Sequence, residues 1–161
     1  MIENPRPALQ GIISGGQTGA DRGGLDGAIE IGIRHGGWCP KGRLAEDGVI
    51  PKHYLLQETA SRTYPERTVR NIKDSDGTAV FTYGEATGGS KMTIREAIEA
   101  KKPVLHIDLA EEEPLEVISR IRTWCLQNNI LVLNVAGSRE SKARGIQTRV
   151  REVVKAAFAQ R

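Results

Sequence analysis

The 161-residue sequence predicts an α/β protein with a mainly parallel, doubly wound sheet and helices on both faces, and three observations carry that prediction. Short β-rich runs alternate with stretches of helical period along the whole chain, the pattern left by successive strand–helix–strand crossovers. Glycine is abundant at 18 residues and aromatic side chains make up only 4 %, which suits a fold with many tight strand-to-helix turns. The last apolar run, Ile130-Leu131-Val132-Leu133-Asn134-Val135, is nearly continuous, as expected of a strand buried on both faces. The length is that of one domain with a sizeable core, so one domain over residues 1–161 is expected.

The elements follow in order. Ile12-Ile13-Ser14 closes a first strand that breaks into a glycine-rich turn. Residues 20–31 then place Leu25, Ala28 and Ile29 at helical spacing, with Gly32 as a stop. A second strand is expected over 35–39. It leads into a polar loop with glycine and proline, 40–52, long enough to cover a site, and Tyr54-Leu55-Leu56-Gln57 is a candidate short strand. Residues 64–74 form a short helix with Val69 and Ile72 on its apolar edge among Arg67, Arg70, Asn71 and Lys73. The run from Gly77 to Tyr83 is the clearest strand. A helix over 90–100 carries Met92, Ile94, Ala97 and Ile98, and Lys101-Lys102-Pro103 ends it ahead of a strand at 104–107. Pro114 opens a helix whose Leu115, Ile118, Ile121 and Cys125, with Trp124 beside them, read as a core stripe. After the apolar run at 130–135, a terminal helix presents Ile146, Val150, Val153, Val154 and Ala157.

Composition narrows the function classes. The formal net charge is only +3, and the basic residues are spread along the chain without aromatic interleaving, so nothing local argues for nucleic acid. Cys39 and Cys125 form no Cys-x-x-Cys, and His35, His53 and His106 show no metal-ligand spacing, so no metal site is expected. His106, inside an apolar strand, reads as a satisfied core histidine. Residues 1–10 carry two prolines and no apolar leader, and no window approaches the roughly 20 apolar residues needed to cross a bilayer. A soluble cytoplasmic protein with no membrane partner is the expectation.

In doubly wound sheets ligands bind beyond the carboxyl ends of the strands, where the strand order reverses. Three loops gather there. The first is Ser14-Gly15-Gly16-Gln17-Thr18-Gly19-Ala20-Asp21, where glycines let backbone N–H groups approach a ligand and the following helix offers the positive end of its dipole to an anion. Against G-x-G-x-x-G it has serine at the first glycine, and the second strand ends in Pro40-Lys41-Gly42-Arg43 rather than an acidic ribose acceptor, which disfavours ordinary NAD binding. No Gly-Lys-Ser/Thr closes it, so it is not a Walker A loop. Thr18 and Asp21 have the spacing of a capping box, an alternative to ligand contact. The second loop, Gly84-Glu85-Ala86-Thr87-Gly88-Gly89-Ser90-Lys91, brings glycines, hydroxyls and a cation to a helix N-terminus. The third, Asn134-Val135-Ala136-Gly137-Ser138-Arg139-Glu140-Ser141-Lys142, puts a small turn and cations just past the last strand.

Together these loops define one anion site. Its candidate residues are Gly15, Gly16, Gln17, Thr18, Asp21, Lys41, Thr87, Gly88, Gly89, Ser90, Lys91, Asn134, Gly137 and Arg139. Catalytic signals are weaker. Ser90 and Cys39 have no histidine placed to activate them, and Glu96 is a candidate acid or base on a helix whose face reads more simply as solvated. The residues argue for binding more than for turnover.

The segments Ser14-Gly15-Gly16-Gln17-Thr18-Gly19-Ala20-Asp21, Gly37-Trp38-Cys39-Pro40-Lys41-Gly42, Thr87-Gly88-Gly89-Ser90 and Asn134-Val135-Ala136-Gly137-Ser138-Arg139 resemble the molybdenum carrier family over nearly the whole chain. That family is similar in fold to the lysine-decarboxylase-like and Lonely Guy proteins, a Rossmann-like superfamily that binds nucleotides or related phosphorylated ligands. The resemblance implies a carrier that captures molybdenum cofactor, a phosphorylated pterin dithiolene (molybdopterin), and hands it to molybdoenzymes. It also implies a homo-oligomer. Backbone N–H groups, Lys41, Lys91 and Arg139 would then hold the phosphate. Two alternatives stay open. One is a phosphoribohydrolase of the Lonely Guy type, whose Pro-Gly-Gly-x-Gly-Thr-x-x-Glu is met here by Thr87-Gly88-Gly89-Ser90-Lys91-Met92-Thr93-Ile94-Arg95-Glu96, with threonine for proline, one extra residue and no third glycine. The other is a nucleotide sensor.

Overall fold

A computed structural model describes residues 5–160, so residues 1–4 of the stretch read above as lacking a leader lie outside it. In chain order the strands and helices are β1 (Gly11–Ile13), α1 (Ala20–Ile31), β2 (Arg34–Gly36), β3 (Trp38–Cys39), β4 (Leu44–Ala45), β5 (Gly48–Val49), β6 (Gln57–Glu58), α2 (Tyr64–Asp74), β7 (Gly77–Thr82), α3 (Gly88–Glu99), β8 (Val104–Asp108), α4 (Pro114–Gln127), β9 (Val132–Gly137) and α5 (Ile146–Phe158). A 3-10 turn spans Glu140–Lys142. Among these helices none is long and apolar enough to cross a membrane.

The central sheet has the order β2-β1-β9-β7-β8, and every pair in it is parallel. The architecture is therefore the Rossmann-like α/β one that strand–helix alternation predicts. The last strand in sequence sits in the middle, between β1 and β7, which is why its Leu133, Asn134 and Val135 are all buried. The chain runs outward from β1 to β2, returns across the sheet to β7 and β8, and comes back to fill the gap with β9. The carboxyl ends of β1, β9 and β7 thus lie side by side where the order reverses.

Helices α1, α5 and α4 pack together on one face, and α2 and α3 pack together on the other. The closest helix pair is α1 with α5, and its fit is a matter of glycine. A Cβ on Gly23 would lie 2.5 Å from the Gln147 carbonyl, and one on Gly27 would lie 2.5 Å from Val154 Cγ1. The main core fills the sheet's interior faces with Ile12, Phe81, Ile107, Leu133, Val150 and Val154, among others. Gly32 ends α1 in the left-handed conformation, its N–H returning to Ala28 and Ile29 carbonyls.

The structure differs from the sequence expectation at four places. The strand expected over 35–39 is two strands, because Gly37 has φ 126° and a Cβ there would lie 2.2 Å from the Ser14 carbonyl oxygen. The chain turns out of the main sheet, and Trp38-Cys39 pair instead with Gln57-Glu58. The segment expected as a polar loop over 40–52 holds the β4–β5 hairpin, and with Leu25, Cys39, Ile50 and Tyr54 it builds a second small core. The candidate strand at 54–57 begins only at Gln57, and Tyr54 is buried, its hydroxyl donating to Asp26 at 2.6 Å. On α4 the buried stripe is Val117, Ile121 and Cys125, spaced by four, while Leu115, two residues before Val117 and so on the opposite side of the helix, is 80 % exposed.

Candidate functional site

At the carboxyl edge of the sheet the three loops and α2 enclose a cavity of about 170 Å³. Sites that enclose a drug-sized ligand run to roughly 300–1,000 Å³, so this one suits a compact group with the rest of a ligand at its mouth. The β1–α1 loop contributes Gly15, Gln17 and Asp21. The start of α3 contributes Thr87, Gly89 and Ser90, and the end of β9 with its turn contributes Asn134, Gly137, Ser138, Arg139 and Lys142.

The fourth wall is α2, through Tyr64, Arg67, Thr68 and Asn71. These fall at i, i+3, i+4 and i+7, one face of a helix. The apolar edge of that helix marks its packing, but this polar stripe beside it is the signal that sequence reasoning passed over. Asn71 clamps β3, accepting from Trp38 N–H at 2.8 Å and donating to the Trp38 carbonyl at 3.0 Å. Arg67 reaches across the β1–α1 loop to Asp21, Nη1 to Oδ2 at 3.2 Å, and its guanidinium stacks over Tyr64 at 5.0 Å. Both side chains of the pair are nearly buried, 12 % and 8 % exposed. The Nε of Arg67 is buried with no hydrogen-bond partner among the described residues. Gly15 makes the reach possible, since a Cβ there would lie 1.7 Å from Arg67 Nη1.

Asp21 lies within the first turn of α1, and its Oδ2 also accepts the Gln17 N–H at 3.1 Å. Half of the expected capping box therefore forms, one residue earlier than the spacing suggested. Burial pushes the Asp21 carboxyl above its usual range, and the Arg67 guanidinium and the Gln17 N–H pull it back. Thr18 does not cap the helix. Its hydroxyl donates to Glu46 and accepts the Glu140 N–H at 3.2 Å, tying the β4–β5 hairpin and the turn after β9 to the first loop. Glu46 reinforces this by accepting from the Ser141 hydroxyl at 2.6 Å and standing 3.8 Å from Arg139 Nε. Burial alone would raise the Glu46 carboxyl, but the Ser141 and Thr18 hydrogen bonds outweigh it and hold the group below its usual value.

The N-terminus of α3 is open. Thr87 occupies the N-cap without a side-chain cap, and Gly88, with φ 52°, turns the backbone into the helix. A 12-residue helix so exposed presents unpaired N–H groups to whatever occupies the cavity.

Nine of the fourteen sequence-predicted binding residues line the cavity: Gly15, Gln17, Asp21, Thr87, Gly89, Ser90, Asn134, Gly137 and Arg139. Gly16 instead faces Leu56 and Ile50, and Thr18 braces the loops. Gly88 does not line the cavity, although both its neighbours do. Lys41 and Lys91 are exposed and outside it, and Lys142, a cation of the third loop that is not among the fourteen, lines it as well. Glu96 lies in a shallow groove between α2 and α3 with Val69, Ile72, Lys73, Glu99 and Ala100, away from the cavity lining. His106 hydrogen-bonds the Thr82 hydroxyl at 2.7 Å.

Comparison with known proteins agrees with this architecture. The family described as "Circularly permutated YpsA SLOG family" matches residues 12–158. A crystal structure from Syntrophus aciditrophicus SB, named "Putative molybdenum carrier protein", superposes with a TM-score of 0.94 at 44 % sequence identity, covering 97 % of this chain and 99 % of that one. No curated protein matches the chain.

Proposed function

The chain belongs to the circularly permutated YpsA SLOG family, and we propose that it is a molybdenum cofactor carrier that holds the phosphorylated end of its cargo in the cavity at the carboxyl edge of the sheet. The observation that carries this reading is the convergence of Arg67, Arg139 and Lys142 with the uncapped N-terminus of α3 on one small cavity. Arginine forks and helix N–H groups together make a phosphate site without any nucleophile. The Nε of Arg67, unpartnered among the described residues, is a donor awaiting an acceptor. The name of the Syntrophus protein, 44 % identical over almost all of both chains, supports molybdenum as the cargo. A cavity of about 170 Å³ admits the phosphate and leaves the pterin at the mouth, an arrangement suited to hand-over. Apo-molybdoenzymes would be the recipients, in the cytoplasm, and the carrier itself would be a homo-oligomer.

The position of Glu96 outside the lining counts against a Lonely Guy-type hydrolase. The test is a thermal-shift titration with molybdenum cofactor extract and with nucleoside monophosphates, on the wild type and on Arg139→Ala and Lys142→Ala. A ligand stabilises in proportion to its excess over Kd. Selective stabilisation by the cofactor is expected, and each variant should weaken it at least about tenfold, the loss of one charged hydrogen bond. Selective stabilisation by a nucleotide would replace the carrier reading with a nucleotide-binding one. Indifference of both variants would remove the phosphate from this cavity.

A further inference from the structure

A cavity with three cations and a helix N-terminus also holds a carboxyl group. Asp21 is only 6 % exposed, and it lines the cavity beside the proposed phosphate site. Its Oδ2 is fully used, accepting from Gln17 N–H and Arg67 Nη1. Its Oδ1 accepts no hydrogen bond among the described residues. Neither of the Oδ2 bonds needs a charge, because an asparagine amide oxygen would accept both. A site shaped for a bare oxyanion would be better without this group, since like charges within a few ångströms in a half-buried cavity repel.

We propose that Asp21 sets the class of ligand: an anionic group for Arg139, Lys142 and the α3 N-terminus, joined to a hydrogen-bond donor, hydroxyl or ring N–H, that Oδ1 of Asp21 accepts. Oxyanions that carry no proton at neutral pH, such as sulfate or molybdate, are selected against. The chemistry is common to a sugar phosphate and to a phosphorylated pterin. This inference rests on the anion site of the proposed function. A donor-bearing ligand gains a charge-assisted bond at Asp21, whereas a bare oxyanion meets repulsion. Binding energy lost by an analogue without the donor is what makes such a site discriminate.

The test is isothermal titration calorimetry at pH 8 with methyl phosphate, sulfate and ribose 5-phosphate against the wild type, Asp21→Asn and an Arg139→Ala/Lys142→Ala double variant. The wild type is expected to prefer ribose 5-phosphate over methyl phosphate by about tenfold or more, one charged hydrogen bond's worth. In Asp21→Asn that preference should fall to within about threefold, while methyl phosphate and sulfate bind more tightly than to the wild type. Asp21→Ser, smaller and also neutral, repeats the test should the asparagine variant fail to fold. Unchanged preference in the neutral variants, or weaker binding of sulfate to them, would overturn the role of Asp21 while leaving the anion site standing. Absence of binding by all three probes to the wild type, with no effect of the double variant, would instead overturn the anion site and this proposal with it.

Discussion

Replacing Gly15 by alanine tests the arrangement at its tightest point. The added Cβ would lie 1.7 Å from Arg67 Nη1, 2.5 Å from Cζ and 2.8 Å from Cδ. All three atoms belong to one long side chain, so the backbone has no reason to move and the fold should survive. Arg67 must swing away, and the nearly buried bond to Asp21 at 3.2 Å is lost. Deleting one partner of a buried pair costs about 3–5 kcal/mol. Here the arginine remains and Asp21 gains water from the cavity, so the cost should be that of one charged hydrogen bond, about 1.5–3 kcal/mol. For a chain of this size that lowers Tm by roughly 3–12 °C. The pH dependence follows from the direction of the Asp21 shift. A carboxyl raised above its unfolded value of 3.8 contributes stability below that value and loses it as pH rises through the folded value. Moving Arg67 raises the folded value further, so the Gly15→Ala penalty should be largest at neutral pH and shrink as the solution is acidified. Gly89→Ala is the control, since its Cβ meets nothing within 4 Å and it sits in the first turn of a helix. It should be neutral or stabilising by up to about 1 kcal/mol. Urea unfolding of both variants at pH 7 and pH 4.5 reads the outcome. A Gly15→Ala protein as stable as Gly89→Ala at pH 7 would refute the reasoning.

Two further predictions concern the groups around the site. Arg22, 6 % exposed, is held by Asp47 through two hydrogen bonds of 2.7 and 2.8 Å, while Asp47 itself is half-exposed. Asp47→Ala should therefore cost about 1 kcal/mol at pH 7, a bidentate bond discounted for solvent. The Arg22 hydrogen bonds hold the Asp47 carboxyl below 3.8, so its contribution is present above that value and lost as pH falls beneath it; an equal penalty at pH 3 and pH 7 would contradict this. Burial pushes the Cys125 thiol up to about 12 and also raises Cys39, and both are buried. Ellman's reagent at pH 8 should find no rapidly reacting thiol in the folded protein and two in urea, and a fast native phase would show one of them accessible.

The sequence by itself determined the architecture, because alternation of period 2 and period 3.6 is a local property that each segment carries whatever its neighbours do. Glycine-rich turns after β1, before α3 and after β9 made the edge of the sheet recognisable as a binding edge, and nine residues named from them line the cavity. Strand order could not be read in the same way, since nothing in residues 132–137 states that they pair with 11–13 on one side and 77–81 on the other. That pairing is decided by which apolar faces can be buried together. The same holds for the cations. Lys41 and Lys91 stand beside the loops in sequence yet outside the cavity in space, whereas Arg67, 46 residues from Asp21, reaches it because Gly37 bends the chain out of the sheet and α2 packs over the opening. A cation's usefulness depends on where its long side chain ends. Only the packing of α2 against the β1–α1 loop decided that.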